Sequence, residues 1–269
     1  MKQAPTDTTV LETHFKFGRN WASYAERIGD AEIQDAVDGL LKLVPKADLE
    51  GRTFLDIGSG SGLHALAAAR VGASRILTLD IDPESTATTR RTLEKFAGAT
   101  AWTAETRSIF DTTPDQIGTF DVVYSWGVLH HTGDMVRAVE MAANLVAPGG
   151  IFAFALYRRT RLDAFWRREK HWYTHASPRA QQAARGLFTA AYSVASTVTG
   201  RRARMTRGME YWHDLHDWLG GYPYEAILAP QVEGMMRKRG FKPERVFARP
   251  LELGLFGSGC DEYVYRRAG

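Results

Sequence analysis

Two aspartates and three closely spaced glycines in the first third of the chain could bind a nucleoside-like ligand. The run FLDIGSGSG carries one aspartate followed by the three glycines: Asp56, Gly58, Gly60 and Gly62. Glycines let the backbone turn tightly and approach a ligand closely. The second aspartate, Asp80, ends the next apolar run, where a carboxylate can accept hydrogen bonds from both hydroxyls of a ribose. A glycine-rich turn with a purely structural role stays open as the alternative.

The glycine spacing argues against a dinucleotide site. Dinucleotide-binding loops follow the pattern GxGxxG, with a helix N-terminus facing the pyrophosphate. Here the pattern is GxGxG, and Asp56 precedes it. A carboxylate at that place would repel a phosphate, but it suits a positively charged ligand or an ammonium group. The spacing therefore disfavours a nicotinamide-dependent dehydrogenase.

A second group of residues that could do chemistry lies in EYWHDLHDWLGGYPYE, residues 210–225. Read as a helix, this stretch has an apolar face made by Tyr211, Leu215 and Trp218. Its polar face carries Glu210, His213, Asp214 and Asp217, with His216 adjoining. The glycine pair that follows is expected to end the helix, and Pro223 to prevent its resumption.

Three interpretations of this polar face stay open. A histidine beside an aspartate can act as a general base, because the carboxylate fixes the tautomer and raises the basicity. His213 is favoured for that role, with His216 and Asp217 as further candidates. A metal site built from these three residues would need another ligand from elsewhere, and we expect no metal. The third interpretation is a hydrogen-bonded helix face without a chemical role.

Alternating strand-like and helical patterns predict the elements that position these residues. After a helix at residues 30–44, strands are expected at TFLDI, RILTLD, within TAWTAETRSIF, at TFDVVYSW and at IFAFALY. Helices are expected between them, and Pro148-Gly149-Gly150 is expected to form the turn into the fifth strand. Residues 158–219 read as helices and basic loops, followed by one helix and two strands. The predicted fold class is α/β: a doubly wound, mostly parallel sheet of seven strands, with a helical insertion after the fifth.

Composition sets limits on the class of protein. The chain has 269 residues, 44% of them hydrophobic and 24% charged, which is ordinary for a globular protein. Its single cysteine, Cys260, excludes an internal disulfide. We see neither a signal peptide nor an apolar run of transmembrane length, so a cytoplasmic protein without stable membrane insertion is expected. A net charge of +3, without an RNA-binding motif, gives no reason to expect nucleic acid as a partner.

The runs FLDIGSGSG, LTLDID and FDVVYSWGVLHHT together resemble the motifs of class I S-adenosylmethionine-dependent methyltransferases. They are most similar to the small-molecule group that includes ubiquinone-biosynthesis-like enzymes. The resemblance covers residues 54–157 well and the last strands loosely. It implies a fold of the predicted class with S-adenosylmethionine as cofactor and S-adenosylhomocysteine as product.

The resemblance also implies roles for residues at the matching positions. Asp56 and the backbone of residues 58–62 would contact the methionyl part of the cofactor, and Asp80 would hold the ribose hydroxyls. Further cofactor contacts are implied for Ile81 against the adenine, Asp111 at the adenine amino group, and Ser125 and Trp126 beside the transferable methyl. Asp111 has the alternative role of capping its loop.

Histidines and aromatic residues near the fourth and fifth strands are expected to face the acceptor. His131 is a candidate for a catalytic role, although most histidines at its position are structural or line the cofactor pocket. The expected acceptor-binding residues are Trp126, His130, Tyr157, Tyr211, Trp212, Tyr222 and Tyr224. The segment HFKFGRNWASY resembles an N-terminal lid over the cofactor, with Phe17, Arg19 and Trp21 as lid residues, or it forms an amphipathic helix packed on the domain.

The chain is thus predicted to divide into an N-terminal helical lid (1–50), a cofactor-binding core (51–157), a helical acceptor-side insertion (158–224) and a C-terminal helix with strands (225–269). Residues 158–207 carry twelve basic and two acidic side chains, which favours an anionic acceptor, membrane surface contact or a solvated helical cap. The predicted function is methyl transfer to oxygen, nitrogen or carbon of a polar or anionic small molecule. Another alkyl transfer from the same cofactor, or a non-catalytic cofactor-binding module, is the alternative, and an oligomer is compatible with the sequence.

Overall fold

The computed structural model describes Ala25 and residues 28–199 and 211–269, except for the side chains of residues 198–199 and 211–214. Its strands are β1 Thr53–Ile57, β2 Arg75–Asp80, β3 Ala101–Thr106, β4 Phe120–Trp126, β5 Val146–Tyr157, β6 Phe241–Phe247 and β7 Cys260–Arg267. Its helices are α1 Asp30–Leu43, α2 Leu63–Val71, α3 Pro83–Phe96, α4 Pro114–Ile117, α5 Met135–Asn144, α6 Asp163–His175, α7 Pro178–Thr199, α8 Tyr211–Gly220 and α9 Ala229–Lys238.

The strands form one mixed sheet in the order β3-β2-β1-β4-β5-β7-β6. The first five strands pair in parallel, and β7 runs antiparallel between β5 and β6. The sheet of seven strands with helices between them is therefore confirmed, and its antiparallel pairs lie at one end. In such a sheet the carboxyl ends of the parallel strands meet at one edge, where ligands bind at the reversal of strand order. That reversal lies between β1 and β4.

Alternate residues of each strand belong to two cores on opposite faces of the sheet. Phe54 and Val122 face one core with α1 and α2, whereas Leu55 and Val123 face the other with α5 and α9. The alternation follows from the two-residue period of a strand. Each fully buried Leu, Val or Phe side chain contributes about 1.5–3 kcal/mol relative to exposure, so these faces fix the register of the sheet.

The start of β5 differs from the prediction. Pro148-Gly149-Gly150 was expected as a turn before the strand, but β5 already begins at Val146. Phe120 of β4 pairs with Val146, and Val122 pairs with Ile151, so the register between the strands shifts where Pro148, Gly149 and Gly150 lie. A Cβ atom at Gly150 would lie 2.8 Å from the backbone oxygen of Asp121. The glycine is therefore required by close backbone approach within the sheet.

Three helices, α6, α7 and α8, follow β5 and pack around a smaller apolar cluster. The cluster includes Tyr157, Trp166, Tyr173, Leu215 and Tyr224. Leu215 and Leu219 are buried on α8, and the helix ends at Gly220 as the glycine pair predicts. Within the described residues, no helix has both the length and the apolar character needed to cross a membrane.

Candidate functional site

The loop between β1 and α2 has the tight geometry expected of a glycine cradle. Gly58, Gly60 and Gly62 have φ angles of 81°, 52° and 79°, in the left-handed region that favours glycine. A Cβ atom at Gly58 would lie 2.4 Å from Val128 Cγ1, and one at Gly62 would lie 3.0 Å from the Cα of Thr89. Side chains are thus excluded from the first and third positions by both conformation and space.

Asp80 holds this loop at the end of β2. Its Oδ2 accepts a hydrogen bond from the Gly60 amide at 2.9 Å, and its Oδ1 accepts one from the Asp82 amide at 2.9 Å. Each carboxylate oxygen has a second lone pair, so the group can still accept from a ligand. Burial raises the pKa of Asp80 to about 6, against the lowering effect of these amides.

Asp56 is a buried carboxyl group directly beneath the loop. It is 2% exposed, and no described residue donates a hydrogen bond to its Oδ2. Burial and then the nearby charge of Asp80 raise the pKa of Asp56 to about 7, while the Ala65 amide lowers it. An unpartnered buried acceptor is costly, and a cationic donor arriving from a ligand would satisfy it.

The two residues assigned to the adenine lie at the same edge. Ile81, directly after β2, is 37% exposed. Asp111 is exposed at the end of a 3-10 turn, Ile109–Asp111, that follows β3. Ser108 caps that turn by accepting from the Phe110 amide, so capping does not account for Asp111.

Ser125 and Trp126, the last residues of β4, have different surroundings. The Ser125 hydroxyl is fully buried and donates to the Ile57 carbonyl at 2.9 Å, tying the ends of β1 and β4 together. The Trp126 indole is half-buried, and its Nε1 donates to Glu262 Oε1 at 3.1 Å. The side chain of Ser125 therefore positions the strand ends, and Trp126 lies at the ligand edge.

The structure brings His130, His131 and Tyr157 together after β4 and β5. His130 is fully buried, its ring centroid lies 3.9 Å from that of Tyr157, and its Nδ1 lies 3.3 Å from the Tyr157 amide. Burial first, then the charges of His131 and Lys170, hold the pKa of His130 well below its usual value, so its imidazole is neutral. His131 Nδ1 lies 2.8 Å from the carbonyl oxygen of Pro223.

The turn after α8 packs against this histidine pair. The Glu225 amide donates to the His130 carbonyl at 3.1 Å, and the Glu225 carboxylate accepts from the Met135 amide at 2.8 Å. Tyr224 is buried 5.3 Å from the Tyr157 ring, and its hydroxyl donates to Asp163 at 3.3 Å. The ring of Tyr222 lies 4.9 Å from that of His171 on α6.

The candidate residues of α8 are only partly described. His216 Nδ1 lies 2.8 Å from the Tyr173 hydroxyl of α6, and Asp217 is buried. This helix contact supports the hydrogen-bonded interpretation for His216. The side chains of Tyr211, Trp212 and His213 lie outside the described residues, as do Phe17, Arg19 and Trp21 entirely.

Two functional candidates, Lys170 and Glu262, were missed by the sequence analysis. Lys170 on α6 is fully buried, donates to the Trp218 carbonyl and lies 4.1 Å from the centre of the Trp218 ring. Its spacing from Trp166 and Tyr173, four residues before and three after, is the helical signal that could have revealed its burial. Glu262 is 5% exposed near the start of β7, and its position two residues before Val264, on the same face of the strand, was its signal.

Two further observations concern metal ligands and the location of the site. Among the described residues, no group of three His, Cys, Asp or Glu side chains is arranged to hold a metal ion. A groove of about 850 Å³ lies between α5 and α9, lined by residues such as Glu140, Gln231 and Met235. That groove includes none of the loop, strand-end or histidine residues above, so its size does not make it the functional site.

Comparisons with known proteins agree with the fold. Residues 27–244 match the model of a family described as Methyltransferase domain. A ubiquinone biosynthesis O-methyltransferase of Methylocella silvestris is 36% identical over 118 residues, 44% of each chain. One of Xanthomonas campestris is 31% identical over 112 residues, 42% of this chain and 46% of the relative. The chain thus spans less than half the length of these relatives.

Solved structures show the same fold at low sequence identity. The magnesium protoporphyrin IX methyltransferase of Synechocystis PCC 6803 with bound SAH aligns with a TM-score of 0.58 at 16% identity, over 97% of this chain and 99% of its own. An O-methyltransferase family protein of Burkholderia thailandensis aligns with a TM-score of 0.55 at 16% identity, over 88% of this chain and 56% of its own.

Proposed function

Because the chain belongs to the Methyltransferase domain family and has the class I S-adenosylmethionine-dependent fold, we propose that it transfers the methyl group of S-adenosylmethionine to a small-molecule acceptor. The reaction takes place at the carboxyl edge of β1, β2, β4 and β5. S-Adenosylhomocysteine (SAH) is the second product.

The observation that carries this proposal is the pairing of the glycine cradle with Asp56. The cradle leaves no room for side chains at Gly58 or Gly62, and the buried Oδ2 of Asp56 lacks a hydrogen-bond donor among the described residues. The α-ammonium group of an amino acid fits that acceptor, whereas a phosphate does not, because its negative charge would be repelled. Asp80 holds the ribose hydroxyls through its free lone pairs, with Ile81 against the base and Asp111 at its amino group.

Bound cofactor supplies an electrophilic methyl group on a sulfonium, and the protein contributes orientation, exclusion of water and proton removal. Orientation alone can lower the barrier by about 7–11 kcal/mol. Trp126 at the end of β4 faces the reacting centre. His130 is neutral and fully buried, so it does not exchange protons with solvent. Its role is to orient its neighbours, because its ring nitrogen accepts from the Tyr157 amide and its carbonyl oxygen accepts from the Glu225 amide.

On the acceptor side, α6, α7 and α8 form the helical cover over the site. His213 removes the proton from an oxygen or nitrogen acceptor, supported by the carboxylates of its own helix. A general base contributes about 10²–10⁴-fold. Tyr157 and Tyr224 form one wall, and Tyr211, Trp212 and Tyr222 contribute to the remainder.

The acceptor is a polar or anionic metabolite. The support is the basic composition of residues 158–207, together with relatives whose names specify a small-molecule substrate. Arg158 is not part of this recognition, because it is buried and paired with Asp261 at 3.3 Å. The division into lid, core, acceptor-side helices and closing strands at residues 50, 157 and 224 follows from the same proposal.

Isothermal titration with S-adenosylmethionine and with SAH tests the proposal. Both bind the wild-type protein, and Asp80→Ala lowers the affinity at least about 100-fold, because it removes two ribose acceptors and releases the Gly60 amide. Asp115→Ala, on the exposed helix α4, is the matched control and leaves affinity unchanged. Absence of binding by the wild-type protein would refute the proposal.

Turnover of His213→Ala tests the proposed base. With a small-molecule extract and methyl-labelled cofactor, label transfer falls about 10²–10⁴-fold while SAH affinity stays within about twofold. Label on the acceptor identifies methyl transfer, because transfer of another alkyl group would leave the labelled methyl on the thioether by-product. Equal label transfer by the variant would return the histidine to a packing role.

A further inference from the structure

Four residues in register across the last four strands of the sheet form a row beside the ligand edge. Trp126 of β4 is opposite Ala155 of β5, which is opposite Glu262 of β7, which is opposite Phe247 of β6. Residues directly opposite one another project from the same face of a sheet. The row therefore extends from the end of β4 to the outermost strand.

The small side chain of Ala155 allows Trp126 and Glu262 to meet. Neighbouring strands lie about 4.8 Å apart, so the two backbones are separated by roughly 10 Å. A large flat side chain can cross that distance only over a small residue, and Ala155, which lies between the two in the register, is fully buried. The indole Nε1 then donates to Glu262 Oε1 at 3.1 Å.

Glu262 is itself held from the other side. Its Oε2 accepts from Lys42 Nζ at 2.6 Å, and that ammonium lies 4.5 Å from the centre of the Phe247 ring. Arg245 of β6 donates to the carbonyl oxygens of Lys42 and Leu43, at 2.9 and 3.2 Å, and so fixes the end of α1. Since Lys42 neutralises the carboxylate, Glu262 acts on Trp126 as a hydrogen-bond acceptor.

We propose that Glu262 is a positioning residue that fixes the plane of the Trp126 indole at the ligand edge and thereby sets the affinity for the cofactor. The proposal rests on the proposed function, which places Trp126 beside the transferable methyl. A charge-assisted hydrogen bond to a buried carboxylate restricts the indole to one orientation. The last strand of the sheet thus controls a residue on the central strand.

The indole N–H signal of Trp126 reports on this contact directly. In protein labelled with ¹⁵N-tryptophan, Trp126→Phe identifies the signal among those of the seven tryptophans. Glu262→Gln shifts it upfield, because a neutral amide oxygen is a weaker acceptor than a carboxylate. Glu233→Gln, which alters an exposed ion pair with Arg237 on α9, is the matched control and leaves the signal in place.

SAH titration of five proteins tests the consequence for binding: wild type, Trp126→Phe, Glu262→Ala, Glu262→Gln and the double variant Trp126→Phe/Glu262→Ala. Glu262→Ala weakens SAH binding about tenfold, and Glu262→Gln, which keeps an acceptor, weakens it about threefold. In the Trp126→Phe background, Glu262→Ala has almost no further effect, since it acts through the indole.

Two results would overturn the positioning role: wild-type SAH affinity in Glu262→Ala, or effects of the two single variants that multiply in the double variant. Glu262→Gln keeps the test decisive if Glu262→Ala fails to fold. A wild-type protein that does not bind SAH would instead refute the proposed function, and the indole signal would still show whether Glu262 holds Trp126.

Discussion

Asp56→Asn is expected to stabilise the ligand-free protein and to weaken cofactor binding. The raised pKa of Asp56, from 3.8 to about 7, has burial as its main cause and the charge of Asp80 as the second. At about 1.36 kcal/mol per pKa unit, ionising this carboxyl group in the folded state costs about 4 kcal/mol. Because the folded state holds the proton more tightly than the unfolded state, stability falls as pH rises from about 4 to 7. The neutral asparagine removes that dependence.

Urea denaturation at pH 5 and pH 8 measures the effect. The wild-type protein loses stability between these values, and Asp56→Asn loses less, by up to about 3 kcal/mol, because the unfolded-state carboxyl group is already ionised at pH 5. Asp115→Asn, on the exposed helix α4, keeps the wild-type difference.

Folding favours the protonated form of Asp56, whereas ligand binding favours its ionised form. An ammonium group binds the ionised carboxylate, so the SAH affinity of the wild type falls about tenfold per pH unit below 7, and binding near pH 7 releases about half a proton. Asp56→Asn binds more weakly and shows no transition near pH 7. Titration calorimetry in two buffers of different ionisation enthalpy measures both. A variant with wild-type affinity and the wild-type pH profile would refute the assignment of Asp56.

Two further substitutions test the cradle and the buried lysine. Gly58→Ala lowers the free energy of unfolding in urea by about 2–4 kcal/mol, because φ is +81° and the new methyl group meets Val128. The control Gly98→Ala, where φ is +64° and the space is open, lowers it by about 1 kcal/mol. Equal losses in the two variants would contradict the steric argument. Burial lowers the pKa of Lys170 to about 7. Because the folded state then loses this proton at a lower pH than the unfolded state, the stability of the wild type rises between pH 7 and 9.5, and Lys170→Met lacks this rise. Parallel pH profiles of the two proteins would show that Lys170 is charged in the folded state.

The sequence predicted the elements of the core because each has a local signal. TFLDI and RILTLD are short apolar runs bounded by turn residues, and they became β1 and β2 with the expected limits. The helix Pro83–Phe96 begins at the proline that suits a first turn, with Asp82 accepting from the Glu84 amide before it. The carboxylates at the carboxyl ends of β1 and β2, Asp56 and Asp80, could likewise be placed at one edge, because parallel strands share that edge.

What could not be predicted depends on pairing between distant segments. The contact between Trp126 and Glu262 requires the register of three strands and a small residue between them, and a single sequence specifies neither. The expected turn at Gly149 and Gly150 lies inside β5, at a shift in register, because Val146 before it already pairs with Phe120 of β4. The sequence analysis likewise counted Arg158 among the basic residues 158–207, whereas in the structure it is buried and paired with Asp261 from β7.

The antiparallel direction of β7 has a practical consequence for handling the protein. The strand starts beside the ligand edge, and its eight residues carry the chain to the opposite edge, about 25 Å away. Gly269 therefore emerges on the side remote from Asp56 and Trp126. An affinity handle, fluorophore or surface tether attached there leaves ligand entry unobstructed, so immobilised protein is suited to screening extracts for the acceptor.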